Sequence, residues 1–147
     1  MNETNAGTAP VNLLAETGSV LSHLQEVEAW IAGSGLDPML VHLVKLRVSQ
    51  LNGCAHCVKM HAADLRAAGE VDARLDHLAA WRFAKEFSDA EKAALAWVEA
   101  LSDLDATQSH GAGRAALRAY YSEREIAALI VVTSMINLWN RLQISNH

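Results

Sequence analysis

Two cysteines and a histidine sit close together in the stretch Asn52-Gly53-Cys54-Ala55-His56-Cys57-Val58-Lys59-Met60-His61. Cys54 and Cys57 are three residues apart and Cys57 and His61 four, so on a helix all three share one face. Cβ atoms at that spacing stand roughly 5–6 Å apart. A disulfide wants them at about 3.5–4.5 Å, a difference that an adjustment in a first helical turn supplies. The pair is therefore expected to pass between dithiol and disulfide without refolding. A cysteine at the start of a helix feels the positive end of the dipole and unpaired N–H groups, which favour thiolate. A neighbouring imidazole takes the proton or stabilises the anion. Thiolate attacks the O–O bond of a peroxide to give a sulfenic acid, and a second thiol within reach condenses with it to a disulfide.

Other chemistries fit these residues less well. A structural zinc site wants four ligands, no second cysteine pair exists, and His56 is expected to point away from the other three. A c-type haem site needs histidine directly after the second cysteine, and Val58 stands there. A thioredoxin-type site needs a strand before the motif. Two inert, buried cysteines stay open as a reading, since free cysteine packs like a small hydrophobe.

The elements that must position the motif read as helices. Residues 1–12 look like a flexible tail and residues 13–147 like a single domain. A first helix is expected from Ser19, where Leu21, Leu24, Val27 and Ile31 recur at helical spacing, with Gly33 and Gly35 ending it. Asp37-Pro38 is a helix start, with Asp as cap and Pro at the first helical position. Leu40, Val41, Leu43, Val44, Leu46 and Val48 make the following segment a central buried helix, which Asn52-Gly53 breaks. The cysteine helix then runs from about Cys54 to Gly69. A shorter helix is expected near 73–83. Capping boxes at Ser88-x-x-Glu91 and Ser122-x-x-Glu125 open two longer helices, with a modest one near 114–121 between them. The sum is an all-α bundle of six to seven helices, without a convincing strand, and with the Cys-x-x-Cys motif at a helix N-terminus.

Composition agrees and excludes several roles. The 147 residues are 51% hydrophobic and 20% charged, which is globular and not disordered. A net charge of -5 with no concentrated basic window argues against nucleic acid and anionic membrane as partners. No apolar run approaches the roughly 20 residues that span a bilayer, and residues 1–10 lack the pattern of a signal peptide. A cytoplasmic location is expected, where a close cysteine pair is more often catalytic or metal-binding than structural. Arg47, on a largely apolar helix, needs an acidic or intersubunit partner if buried. Trp30, Trp81, Trp97 and Trp139 read as core or interface anchors, and His23, His77 and His110 as surface residues. The abundance of apolar helix surface points to a homo-oligomer.

The segment from Leu43 to His61 resembles the core of the alkylhydroperoxidase D-like proteins, within the carboxymuconolactone decarboxylase superfamily. The likeness continues through Arg66-Ala-Ala-Gly-Glu70, Trp81-Arg82, Ala93-Ala-Leu-Ala-Trp97 and Ile136-Asn-Leu-Trp-Asn-Arg141, spanning roughly residues 36–144. The decarboxylase branch lacks the cysteine pair. The resemblance implies an all-helical fold assembled as trimer or hexamer, and a thiol-dependent hydroperoxide reductase that needs no cofactor. It makes Cys57 the peroxidatic and Cys54 the resolving cysteine. His61 would belong to the proton relay, and His56 matches a position often held by histidine or an aromatic. A dithiol reductant protein, lipoyl or thioredoxin-like, would restore the thiols.

One position departs from the family pattern. The relay usually includes a glutamate twelve residues before the first cysteine, and this chain has His42 there. Neutral histidine accepts a proton but does not hold an imidazolium by charge. Three accounts stand open: His42 as substitute base, another carboxylate, such as one from a neighbouring subunit, in its place, or a broken relay. Two rivals to the peroxidase reading follow, a weakly active redox sensor or scaffold and a metal-binding module.

Overall fold

The computed structural model describes residues 7–147, so residues 1–6 of the expected tail lie outside it. The described residues form seven α-helices and no strand: α1 (Leu13–Ala32), α2 (Pro38–Asn52), α3 (Ala55–Ala67), α4 (Asp72–His77), α5 (Asp89–Asp103), α6 (Gly111–Leu117) and α7 (Glu123–Ile144). The all-α expectation holds. The stretch expected near 73–83 divides into α4 and a separate 3₁₀ turn, Leu78–Ala80.

Helix α2 is the axis of the bundle. Its start is set by Asp37, whose carboxylate accepts from the Met39 N–H at 2.9 Å, with Pro38 following. Leu43, Val44, Leu46 and Val48 are each at most 2% exposed. Burying such a side chain stabilises the fold by about 1.5–3 kcal/mol. α2 packs on α3, α5 and α7 together, which explains why its apolar residues go nearly all round. Both capping boxes form as expected: Ser88 and Glu91 open α5, Ser122 and Glu125 open α7.

One boundary differs from the sequence reading. α1 begins at Leu13, six residues before Ser19. Asn12 caps it by accepting from the Ala15 N–H at 3.1 Å, and the helix bends at Thr17, whose φ/ψ are non-helical. The Thr17 hydroxyl bonds back to the Leu13 carbonyl at 2.7 Å, the competition with helical bonding that Ser and Thr commonly offer. Residue 11 is also held, since the Asn146 side chain bonds both the N–H and the carbonyl of Val11. No helix among the described residues is long and apolar enough to cross a membrane.

The turn between α2 and α3 decides where the cysteines go. Gly53 adopts φ 71°, the left-handed conformation that glycine takes without penalty. The Cys54 N–H then bonds the Ser49 carbonyl at 3.1 Å. The Asn52 amide reaches Asn137 and Asn140 of α7, both at 2.9 Å, and Asn140 bonds Ser49 at 3.1 Å. These amide bonds, of which only Asn140 is buried, tie the turn to α7, so α3 starts from a fixed point.

Candidate active site

Cys54 is the N-cap of α3, and its sulfur accepts from the Cys57 N–H at 3.4 Å. The two cysteines are joined as a disulfide with a Cα–Cα separation of 5.3 Å. The helix-start placement expected from the spacing therefore brings the sulfurs into bonding range. The sulfurs differ in access. Cys54 is fully buried, whereas Cys57, 2% exposed, lines a cavity of about 320 Å³.

That cavity lies between α1, α2, α3 and α7. Beside Cys57 its wall includes His61, Met60, Lys45 and Glu28, with Ile136 and Trp139 from α7. His61 is one turn beyond Cys57 on α3 and 5% exposed. His56 is exposed, yet it too lines the cavity; the expectation that it points wholly away from Cys57 is corrected in that respect. Adjacent helix positions are only about 100° apart, so a cavity opening on α3 takes in both His56 and Cys57. A wider depression of about 480 Å³, lined by Leu51, Asn52, Arg82 and Glu99 among others, has no cysteine or histidine in its wall.

His42 comes from α2 and meets His61 across the α2–α3 interface. Their Nδ1 atoms are 3.5 Å apart, with ring centroids at 5.7 Å. Asp64, one turn along α3 from His61, brings a carboxylate oxygen to 3.7 Å from His42 Nδ1 and 3.9 Å from His61 Nδ1. A carboxylate of the same chain thus stands beside His42 and His61, at the position facing both rings. Sequence reasoning passed over Asp64, although its i+3 relation to His61 was a readable signal.

Electrostatics keep the two rings neutral at ordinary pH. Burial pushes the His61 imidazole down to about 4, and the nearby charge of Lys45 and His42 adds to this, against the opposing pull of Asp64 and Glu28. His42 is also lowered, chiefly by burial, with Asp64 opposing. A neutral imidazole is the form that accepts a proton or binds a metal. Among the described residues, His42, His61 and Asp64 are also the one group of at least three such side chains clustered closely enough to hold an ion.

Glu28 and Lys45 went unremarked in the sequence. Lys45 Nζ lies 2.5 Å from Glu28, whose other oxygen accepts from Trp139 Nε1 at 2.8 Å. The pair walls the cysteine cavity and a second one of about 200 Å³ that His42 lines. Glu28 falls in register with Leu21, Leu24 and Ile31, so an acid on the apolar face of α1 was the available signal.

The remaining expectations divide. Arg47 has the acidic partner it needed, Glu99, at 2.6 Å. Trp81 and Trp97 are buried, Trp139 walls the cavity, and Trp30 is 42% exposed, with the Arg124 guanidinium over its ring. His23 and His77 are exposed, but His110 is half-buried, edge-on to the Trp97 ring at 5.9 Å.

The carboxymuconolactone decarboxylase family model matches residues 15–100, which takes in most of α1, all of α2, the cysteine motif and most of α5. This chain belongs to that family. Within it, the alkylhydroperoxidase D-like resemblance holds. A crystal structure from Agrobacterium tumefaciens, of a protein of unknown function proposed to be an antioxidant defence protein AhpD, superposes with a TM-score of 0.87. It shares 30% identity over 95% of both chains. An uncharacterized peroxidase-related protein from Silicibacter sp. TM1040 shares the fold at a TM-score of 0.80, with 21% identity, over 97% of this chain and 76% of its own. The uncharacterized protein YdfG of Bacillus subtilis (strain 168) is 33% identical over 122 residues, 83% of each chain. This member of the carboxymuconolactone decarboxylase family carries the cysteine pair on the AhpD-like fold, with histidine at position 42.

Proposed function

We propose that this protein is a thiol-dependent hydroperoxide reductase in which Cys57 attacks and Cys54 resolves. The observation that carries the reading is that Cys57 shares its cavity with His61, while the Cys54 sulfur faces the helix start instead. In the reduced protein, His61 accepts the Cys57 thiol proton; the thiolate so formed favours the imidazolium beside it. The Cys57 sulfur attacks the terminal oxygen of the hydroperoxide, the O–O bond breaks, and an alcohol leaves with the relayed proton. Cys57 is then a sulfenic acid. Cys54 displaces its hydroxyl as water, and the disulfide forms.

Regeneration follows from the same asymmetry. An external dithiol, lipoyl or thioredoxin-like, attacks Cys57, the sulfur that lines the cavity. Cys54 leaves as thiolate, stabilised by the Cys57 N–H and the start of α3. His42 and Asp64 complete the proton path to solvent, since the Asp64 side chain is 46% exposed. The reading places the protein in the cytoplasm as a homo-oligomer.

The test is thiol titration of fully reduced protein after one equivalent of an alkyl hydroperoxide. Both thiols should vanish far faster than free cysteine reacts, and Cys57→Ser should abolish the reaction. Reaction of the parent at the free-cysteine rate would sink the proposal and favour a redox sensor or scaffold.

A further inference from the structure

We propose that His42, His61 and Asp64 form a binding site for a divalent transition-metal ion of the zinc type, with solvent completing its coordination. The three donor atoms come from two packed helices, and their separations are 3.5, 3.7 and 3.9 Å. The carboxylate is thus beyond ordinary hydrogen-bond reach of both rings, and the two nitrogens stand at the outer limit for one. A circle through three atoms so spaced has a radius of about 2.1 Å, which is the length of a zinc–imidazole or zinc–carboxylate bond. An ion at its centre is in bonding range of all three without movement of either helix. A water pulling it out of the plane requires shifts of a few tenths of an ångström.

Ring orientation agrees with this placement. The His42 and His61 centroids are 5.7 Å apart while their Nδ1 atoms are 3.5 Å apart, so the rings aim those nitrogens at a shared point. The site has a closed side and an open one. His61 is 6% exposed at its side chain, His42 34% and Asp64 46%, which gives an ion both a fixed floor and a way in. Two imidazoles with one carboxylate are a donor set that zinc accepts, leaving a position for water. Lys45, the cation whose charge reaches both rings, is engaged by Glu28 at 2.5 Å.

The inference goes beyond the peroxide chemistry and does not depend on it. The disulfide form separates the two, because neither sulfur is then a thiolate able to bind metal. Zinc binding is measured by calorimetry on the oxidised full-length chain, with Co²⁺ absorption as a spectroscopic report on geometry. The expected result is one zinc per chain and a tetrahedral Co²⁺ spectrum. His42→Gln should weaken binding by about a hundredfold or more and Asp64→Asn by at least about tenfold. The metal-free melting curve of each variant checks its fold; Asp64→Asn, at the more open position, keeps the test readable if His42→Gln unfolds. No binding by the parent overturns the proposal. So does binding that both variants retain, or that appears only after the disulfide is reduced, since either places the ion elsewhere.

Discussion

Helix α2 carries two polar clusters built in opposite ways. On one side Glu99 of α5 accepts from Arg47 Nε at 2.6 Å, Trp81 Nε1 at 2.8 Å and Arg82 at 2.6 Å. Every contact there is a full hydrogen bond, and opposite charges meet. On the other side His42, His61 and Asp64 face one another at 3.5–3.9 Å, with both imidazoles held neutral by burial. The first cluster is closed and locks α2, α5 and the 3₁₀ turn together. The second keeps its lone pairs available beside a cavity that holds a sulfur. Polar groups that saturate one another build structure, and those held just apart are available for chemistry.

Substitutions in each cluster should therefore fail differently. The largest effect is expected at His61. Replacing it with Gln removes the base and should slow oxidation of Cys57 by about 10²–10⁴-fold in a stopped-flow assay with alkyl hydroperoxide. The melting temperature should move far less than the rate suggests. If His61→Gln instead unfolds the protein and the folded remainder keeps its rate, the second cluster is as structural as the first.

Glu99→Ala should do the reverse. It leaves the half-buried Arg47 with only Gln50 as a partner, at a cost of about 1–3 kcal/mol in denaturant unfolding, while peroxide turnover per folded molecule stays near the parent value. Equal losses of rate and stability would erase the distinction.

Acid sharpens the comparison. Burial pushes the Glu99 carboxyl up, but the bonds from Trp81, Arg82 and Arg47 outweigh it and hold the group below the usual carboxylate range. A folded-state pKa below the unfolded one gives stability that is present above the unfolded value, near ~4.3, and is lost as pH falls through the folded value. Unfolding free energy measured from pH 6 downward should thus decline more steeply in the parent than in Glu99→Gln. Parallel curves would mean that Glu99 is not held as its contacts indicate.

The smallest effect belongs to the scaffold shared by both clusters. Ser122→Ala removes the side chain that accepts from the Glu125 N–H at the start of α7, a loss of about 1 kcal/mol. Thermal unfolding should register it and peroxide kinetics should not.

Much of this was readable because its causes are local. The Cys54, Cys57 and His61 face depends on helical spacing alone, and Asp37-Pro38, Ser88 and Ser122 announce helix starts through their own side chains. Arg47 declared its need for a partner by sitting among apolar neighbours, although nothing in the chain pointed to a residue 52 positions away. What stayed hidden is assembled from distant pieces. Glu28 and Trp139 meet across 111 residues, and the encounter of His42 with His61 exists only once α2 packs on α3. Asp64 could have been read from its spacing, but only after His42 had been placed beside His61. The start of α1 was missed because the Asn12 cap precedes the apolar pattern and the bend at Thr17 interrupts it.

The central claim is that Cys57 meets the peroxide and Cys54 only closes the cycle. Its most direct test is peptide mass spectrometry of the reduced Cys54→Ser and Cys57→Ser proteins after one equivalent of alkyl hydroperoxide, with a sulfenic-acid trap present. The account predicts trapped sulfenic acid on Cys57 in Cys54→Ser, formed at the parent rate, and none on Cys54 in Cys57→Ser. Trapping on Cys54 at the parent rate, with Cys57 left unmodified, would contradict it and reverse the two roles.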